Sequence, residues 1–414
     1  MHTRNDRIVK PHEELPRSIM PEPDYADWDG SFSHRPTLAE ISLDAIATNA
    51  AYFKSLLQPG CQWMAVVKAN GYGHGAVETA RTALSAGADR LGVAFLDEAL
   101  RLRSAGIAAP ILVLGHTPPE AIREAVAADV TLTVFSGEAL ETVMREAESL
   151  SRAARIHLKI ETGMNRLGIT APDAALQLAR RVNESPYVTL EGIFTHFANA
   201  DHPSPAYTEL QFARFREFRG AFEEAGISVP LWHCCNTAAT IAYLHMHLDM
   251  VRVGIGLYGL KPSVRGVIAG APLKPAMRLL SRIVSLKDVP ALEPVSYGCT
   301  FASDQDTRIA TVPIGYADGM PRALSNKGTA TVRGQSAPIA GTICMDQLML
   351  DVTAIPDAKP GDEVLLFGAP EDKVTAADVA SHAHTIHYEI VCGIGARVPR
   401  VYVKEGRTIS TRFI

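Results

Sequence analysis

The chain lacks a basic excess: 40 Lys and Arg stand against 45 Asp and Glu, a net charge of −5 over 414 residues. Without the cationic surface that a phosphate backbone requires, nucleic acid is not an expected partner. Nor does any run approach the roughly 18 apolar residues of a membrane helix, so no membrane is expected as a partner. Residues 1–36 mix Arg, Lys, Glu, Asp, His and Pro with no apolar core of the kind a secretory signal needs. They read as a mobile tail or an arm that packs only on a partner. Cysteine is sparse, with six at positions 61, 234, 235, 299, 344 and 392 and no CxxC pair. That argues against a disulfide framework and for reduced thiols in the cytoplasm. Internal repeats of short period and low-complexity tracts are missing as well. Two histidine groups, His245 with His247 and His382 with His384 and His387, lack the flanking carboxylates or cysteines of a firm metal site. They read as surface or helix-end residues, and no metal is expected.

What is present is a globular composition, 47% hydrophobic and 21% charged, with room for two domains. From Leu38 to about Gly259 eight short apolar runs, at 63–67, 91–95, 111–114, 131–134, 156–160, 190–195, 231–234 and 250–253, alternate with amphipathic segments. The helical segments fall at 76–86, 97–104, 119–127, 137–150, 172–182 and 205–225, several opened by Asp, Ser or Pro. The expected fold class is α/β. An eightfold strand–helix alternation predicts a TIM-type (β/α)8 barrel, although an open doubly wound sheet gives a similar pattern. Polar residues at the strand ends favour the barrel. Lys68, Lys159, His196, Asn236 and Arg252 each stand at or just past a different apolar run, and a barrel gathers all strand ends around one mouth.

After Leu273 the texture becomes short β-rich segments, at 282–289, 308–313, 329–333, 347–351 and 363–367, with a helical piece near 376–384 and a last strand at 401–403. Residues 261–275 form the linker region. The expected organisation is an extension at 1–36, a barrel at 37–270 and a smaller, mostly β domain at 271–414.

The stretch Met64-Ala65-Val66-Val67-Lys68 runs straight into Ala69-Asn70-Gly71-Tyr72-Gly73-His74-Gly75. An apolar strand that ends in a lysine places the amine where burial lowers its pKa, so that it can form a Schiff base with an aldehyde. A strand-end lysine snorkelling to water or paired with a carboxylate explains the same residue. The glycines and Tyr72 permit close backbone approach and offer a hydroxyl, as a bound phosphate needs. Asn236-Thr237 at a helix start and Gly254-Ile255 after a strand could add N–H groups to the same dianion. Asn-Thr before an alanine-rich helix is equally a plain N-cap. Arg252 sits in the apolar run Val251-Arg252-Val253-Gly254-Ile255, where a guanidinium needs a partner. That partner is a carboxylate in a structural pair, or the unprotonated nitrogen of a pyridine ring.

Val67-Lys68-Ala69-Asn70-Gly71-Tyr72-Gly73-His74-Gly75 resembles the cofactor-lysine motif of bacterial alanine racemases, which are fold-type III pyridoxal phosphate enzymes. Further matches follow in the family's order: Glu161-Thr162-Gly163-Met164-Asn165-Arg166-Leu167-Gly168, Thr195-His196-Phe197-Ala198, Asn236-Thr237-Ala238, and Arg252 through Gly259. In the second half come Val295-Ser296-Tyr297-Gly298, Gly315-Tyr316-Ala317-Asp318-Gly319, Gly341 through Gln347, and Tyr388-Glu389. The resemblance implies interconversion of L- and D-alanine with pyridoxal 5'-phosphate as cofactor, the D-alanine serving peptidoglycan precursors or the L-isomer catabolism. Lys68 would bind the cofactor and act as base on one face of Cα, with Tyr297 from the other subunit of a homodimer on the opposite face. Arg252 would face the pyridine nitrogen, steadied by His196. Tyr72, Asn236, Thr237, Gly254, Ile255 and Tyr388 would hold the phosphate end. Arg166 and the partner's Met345 backbone N–H would take the substrate carboxylate, with Cys344 and Asp346 flanking. Lys159 matches a lysine that is carbamylated in part of the family. Two positions depart from the pattern: His387 precedes Tyr388 where Asn is usual, and Thr237 replaces a commoner Ser.

Decarboxylases and D-threonine aldolases share the scaffold. The former need a glycine-rich phosphate loop and a cysteine-acid substrate motif that the chain does not show, and the latter a metal site. A non-enzymatic cofactor carrier lacks the second domain, against which Ser296–Gly298 and Cys344–Asp346 speak.

Overall fold

After β1 (Leu38–Ser42) the chain lays down eight strands that become neighbours in one all-parallel sheet. They are β2 (Gln62–Val66), β3 (Arg90–Val93), β4 (Ile111–Val113), β5 (Thr131–Val134), β6 (Ala154–Lys159), β7 (Val188–Phe194), β8 (Leu231–His233) and β9 (Met250–Val253). The order β8-β7-β6-β5-β4-β3-β2-β9 bends round to a nearly closed barrel. At the seam between β8 and β9, the N–H of Asp249 donates to the Trp232 carbonyl at 3.1 Å and that of Arg252 to the Cys235 carbonyl at 3.0 Å. This computed structural model describes residues 34–262 and 266–412, so the tail assignment falls outside the described residues up to position 33.

The strands read as unbroken apolar runs because both of their faces are covered. Those of β4, β5 and β9 are wholly buried, and Met64, Leu112, Leu231 and Met250 pack together as one cluster. The helices between them run at 76–85, 96–104, 119–127, 137–150, 172–183 and 206–224, within a residue or two of the sequence expectation. Their starts follow the capping rules. Ser136 accepts from the Ala139 N–H, and Pro119 and Pro172 open their helices, where a missing N–H costs nothing.

The second region holds a seven-stranded sheet and a three-stranded one. The predicted strand at 282–289 corresponds to β11 (Ser285–Val289); its first residue, Arg282, instead ends a separate strand, β10 (Met277–Arg282), because the chain changes sheet at Ile283-Val284. The three-stranded sheet runs β11-β12-β15, with β12 at Thr307–Val312 and β15 at Leu348–Asp351. The larger sheet runs β14-β13-β16-β10-β1-β17-β18, adding β13 (Thr329–Val332), β14 (Gln335–Pro338), β16 (Glu363–Phe367), β17 (Arg400–Lys404) and β18 (Arg407–Arg412). The two outermost strands are polar and mostly exposed, which is why apolar patterning passes over them. β1 lies well inside this sheet, antiparallel to β10 and parallel to β17, with Leu38 opposite Leu280 and Ala39 opposite Arg400.

Arg400 ties the two regions together. Its guanidinium is 1% exposed and donates to the carbonyls of Gly73, Ile394, Gly395 and Val398 at 2.6–2.9 Å. Arg400→Met would remove this donor from the carbonyls of Gly73, Ile394 and Val398, the Gly395 carbonyl alone keeping the Val398 N–H at 3.1 Å. It is expected to lower stability by about 3–5 kcal/mol, read as a fall in urea midpoint at unchanged m-value.

Candidate active site

Lys68 opens a turn of the opposite hand to a normal helix. Ala69, Asn70, Gly71 and Tyr72 have φ of 50°, 52°, 62° and 51°, a left-handed run in which three residues carry a Cβ. Each such residue costs about 1–2 kcal/mol, so the turn persists only where its surroundings hold it. Glu98 accepts from the Ala69 N–H at 2.5 Å, the Asn70 side chain from the Ala76 N–H at 3.0 Å, and Arg400 grips the Gly73 carbonyl. Tyr72 stacks on Tyr258 at 5.0 Å between ring centres, and Tyr258 donates to the Val66 carbonyl. His74 packs on the other side of the turn, 4.6 Å from Tyr258, and burial pushes its pKa down to about 4.

One result is that Lys68 and Tyr72 line a single cavity of about 400 Å³ at the C-terminal mouth of the barrel. Lys159, Arg166, His196, Asn236, Thr237, Arg252, Gly254, Ile255 and Tyr388 line it too, along with Phe194 and Cys392. The Lys68 Nζ lies 5.9 Å from the Tyr72 ring centre. Burial, and next the Arg166 charge, lower its pKa, which favours the free amine. Lys159 is lowered to about 8 by burial and by Arg166 and Arg252. Its amine lies 5.3 Å over the Phe194 ring.

Arg252 is 3% exposed and its sequence-level puzzle has a specific answer. Its Nη1 donates to His233 Nδ1 at 2.8 Å. Nη2 donates to the carbonyls of Thr195 and Cys234 at 2.8 and 3.1 Å and approaches His196 Nδ1 at 3.2 Å. None of these partners is a carboxylate, and burial brings the guanidinium down to about 10. The predicted contact with His196 is present, but His233 makes the shorter one and was not singled out from the sequence. The signal was available: His233 ends an apolar strand just as Lys68 and His196 follow theirs. Phe194, stacked on His233 at 4.9 Å, was also missed.

The loop bearing Arg166 is held from two sides. Glu161 accepts from the N–H groups of Gly163 and Arg166 at 2.5 and 3.1 Å. Helix 206–224 pins the same loop through Tyr207 to the Gly163 carbonyl and Arg214 to the Thr162 carbonyl, while Gln211 reaches the His196 carbonyl. At the opposite wall the Thr237 hydroxyl accepts from the Gly254 N–H at 2.9 Å, and Asn236 caps the short helix Thr237–Ala242. A Cβ at Gly254 would sit 2.5 Å from the Tyr72 hydroxyl oxygen. Only glycine lets backbone and phenol come this close, as a cradle for an oxyanion does.

Tyr297, Cys344, Met345 and Asp346 do not line this cavity. They cluster instead on the β-rich region. The Ser296 hydroxyl donates to the Thr342 carbonyl at 2.5 Å, and the carbonyls of Cys344 and Met345 accept from the N–H groups of Tyr316 and Ala317. Arg397 bridges Asp346 and the buried Asp318. Tyr297 is 74% exposed and Met345 53%. Among the histidines set aside earlier, His247 stands at a helix end, closing the turn Leu244–Met246, but is buried rather than on the surface, with Nε2 on the Thr240 carbonyl. His387 stacks on Tyr388 at 4.9 Å.

Residues 41–262 match the family model for the alanine racemase N-terminal domain, and residues 276–402 the model for the alanine racemase C-terminal domain. The chain belongs to the alanine racemase family. A relative from Oceanobacillus iheyensis, alanine racemase 2, is 50% identical over 379 residues, covering 91% of this chain and 96% of that protein. The structure of the alanine racemase of Clostridium difficile 630 superimposes with a TM-score of 0.88 at 39% identity, covering 92% of this chain and 99% of that one. That of the alanine racemase from Bacillus anthracis with bound L-Ala-P does so with a TM-score of 0.86 at 38% identity and the same coverage. Membership spans both halves of the chain, so the two clusters of exposed and cavity-lining residues belong to one family architecture.

Proposed function

We propose that this enzyme interconverts L-alanine and D-alanine with pyridoxal 5'-phosphate, by proton transfer at opposite faces of Cα. The observation that carries the reading is the single cavity that unites a desolvated lysine, a glycine-lined cradle and a buried arginine with no carboxylate partner among the described residues. The residues fit the cofactor at three points. Tyr72, Asn236, Thr237, Gly254, Ile255 and Tyr388 suit a phosphate; Lys68 suits an aldehyde. The four contacts of Arg252 fall on Nη1 and Nη2, which leaves Nε–H for a ring nitrogen. When bound, the cofactor supplies a conjugated ring that withdraws electrons from Cα and acidifies its proton.

Lys68 takes or returns that proton on one face. Arg252 would hold the pyridine nitrogen by donating to it without giving up its own proton, which would keep the ring neutral, moderate its electron withdrawal and disfavour transamination. Arg166 clamps the substrate carboxylate so that Cα stays between the two bases. The opposite base is Tyr297 of a second copy of this chain, with the Met345 N–H of that copy on the carboxylate and Cys344 and Asp346 beside it. Exposure of this cluster, outside its own chain's cavity, supports a homodimer with composite sites. All six cysteines are free, which suits the reducing cytoplasm.

Lys159 is the remaining member. Lys159 shares one mouth with the guanidinium groups of Arg166 and Arg252, and a bare ammonium on Lys159 adds repulsion. A carbamate there reverses the sign and gives Arg166 an anionic support. With its pKa near 8, enough neutral amine is present at neutral pH to react with carbon dioxide. In protein equilibrated with ¹³C-bicarbonate, a carbamate resonance is expected that disappears in Lys159→Ala. The variant should also show a raised KM for alanine. No resonance in the wild type would dispose of the carbamate.

The overall reading is tested by incubating the purified holoenzyme with L-alanine in heavy water. D-alanine should accumulate, with deuterium entering at Cα; uptake of deuterium with no D-isomer would refute racemisation.

A further inference from the structure

The contacts of Arg252 continue down the inside of the barrel. His233 Nε2 lies 2.9 Å from His157 Nδ1, His157 Nε2 lies 3.1 Å from Glu191 Oε2, and Arg90 Nη1 meets the same oxygen at 2.9 Å. Both imidazoles are fully buried. We infer that Glu191 is a positioning residue for Arg252, acting through His157 and His233 by fixing which nitrogen of each ring carries the proton. The inference rests on the reading that Arg252 addresses the cofactor ring.

The polarity of this row follows from donor inventory alone. Arginine has no acceptor, so His233 Nδ1 must be unprotonated to receive the Arg252 N–H. The His233 proton then sits on Nε2 and points at His157, whose Nδ1 accepts it. The proton of His157 is left on Nε2, aimed at Glu191. Every bond runs one way, from Arg252 down to a carboxylate that also accepts from Arg90. Protonating either ring, or reversing both tautomers, would set two N–H donors face to face. Burial accordingly pushes both histidines below their ordinary pKa. Burial also works against the charge of Glu191, but the His157 bond and Arg90 outweigh it and hold the carboxyl at about 2.

Two backbone features build the row. Ile156 pairs with Leu190 and His157 with Gly192, so Glu191 is the extra residue of a β-bulge between β6 and β7. Bulges re-aim a side chain, and this one serves the Glu191 carboxylate. A Cβ on Gly192 would come within 2.6 Å of the His157 ring, so the imidazole fits only beside glycine. Neither feature is needed by a plain packed barrel layer, which apolar branched residues fill.

Removing the terminal acceptor lets His157 turn its proton toward His233, and the reversal reaches Arg252. The two short contacts of Glu191, from Arg90 and His157, and a longer one from the Thr131 hydroxyl at 3.5 Å fall on Oε2, while Oε1 faces Arg155 Nε at 4.0 Å. An amide oxygen therefore reproduces the acceptor without the charge. The test compares wild type, Glu191→Ala and Glu191→Gln, each labelled with ¹⁵N-histidine and studied without cofactor, with His157→Gln and His233→Gln used only for assignment. Both wild-type rings should give the neutral Nε2–H signature. In Glu191→Ala the His233 signal should move to a mixture of tautomers, and in the holoenzyme kcat should fall at least about tenfold with a shifted cofactor absorbance. Glu191→Gln should restore the signal and most of kcat. An unchanged His233 signal in Glu191→Ala, or identical behaviour of the Ala and Gln variants, overturns the inference. Because the tautomers are read on apoprotein, that failure is distinct from a wild type that does not racemise alanine.

Discussion

Lys68→Ala is expected to lower racemisation by at least about four orders of magnitude. The visible absorbance of bound cofactor should vanish from the same sample, and borohydride should then fix none of it to the protein. The expectation comes from two features of the wild-type site. The amine is desolvated and stands beside Arg166 and Arg252, so its neutral form is favoured. The left-handed turn that follows is held by Glu98, Asn70 and Arg400, so Lys68 has a fixed origin. A variant that keeps the chromophore would show that another side chain binds the aldehyde.

Tyr297→Phe is expected to keep the chromophore and lose racemisation by about three orders of magnitude or more. The phenol is the only proton-transferring group the proposal places on the far face of Cα. If the phenol comes from a second copy, mixing separately inactive Lys68→Ala and Tyr297→Phe proteins has a definite outcome. A mixed dimer holds one site with both residues replaced and one with both intact. Random exchange should therefore return about a quarter of the wild-type rate. No recovery, in a mixture shown to have exchanged subunits, would mean that lysine and tyrosine act from the same chain.

The barrel was legible because its strands are buried on both faces and end in polar groups, a pattern that survives without knowledge of contacts. Lys68, Lys159, His196 and Arg252 stand out for the same reason. What sequence order hid was long-range. The β-rich edge strands β14 and β18 are polar, and β1 precedes the barrel yet pairs with residues some 240 and 360 positions later, as the registers of Leu38 with Leu280 and Ala39 with Arg400 record. The left-handed turn was masked by Ala69 and Tyr72, residues for which local preference predicts the opposite hand. His157 and Glu191 were masked by their place inside an otherwise apolar strand pattern, where only the bulge reveals that they face one another.

The placement of β1 also orders events during synthesis. Its segment leaves the ribosome before the barrel, whereas β17 is made well after it. Until then the nascent chain carries an early strand whose β17 edge stays open even after β10 has paired with the other, and Arg400 has not yet reached the carbonyl of Gly73. A polypeptide halted after the barrel would thus expose a sticky ribbon and an unsecured lysine loop. Vectorial growth makes this enzyme competent only once its final strands arrive, so premature termination products are candidates for aggregation rather than partial activity.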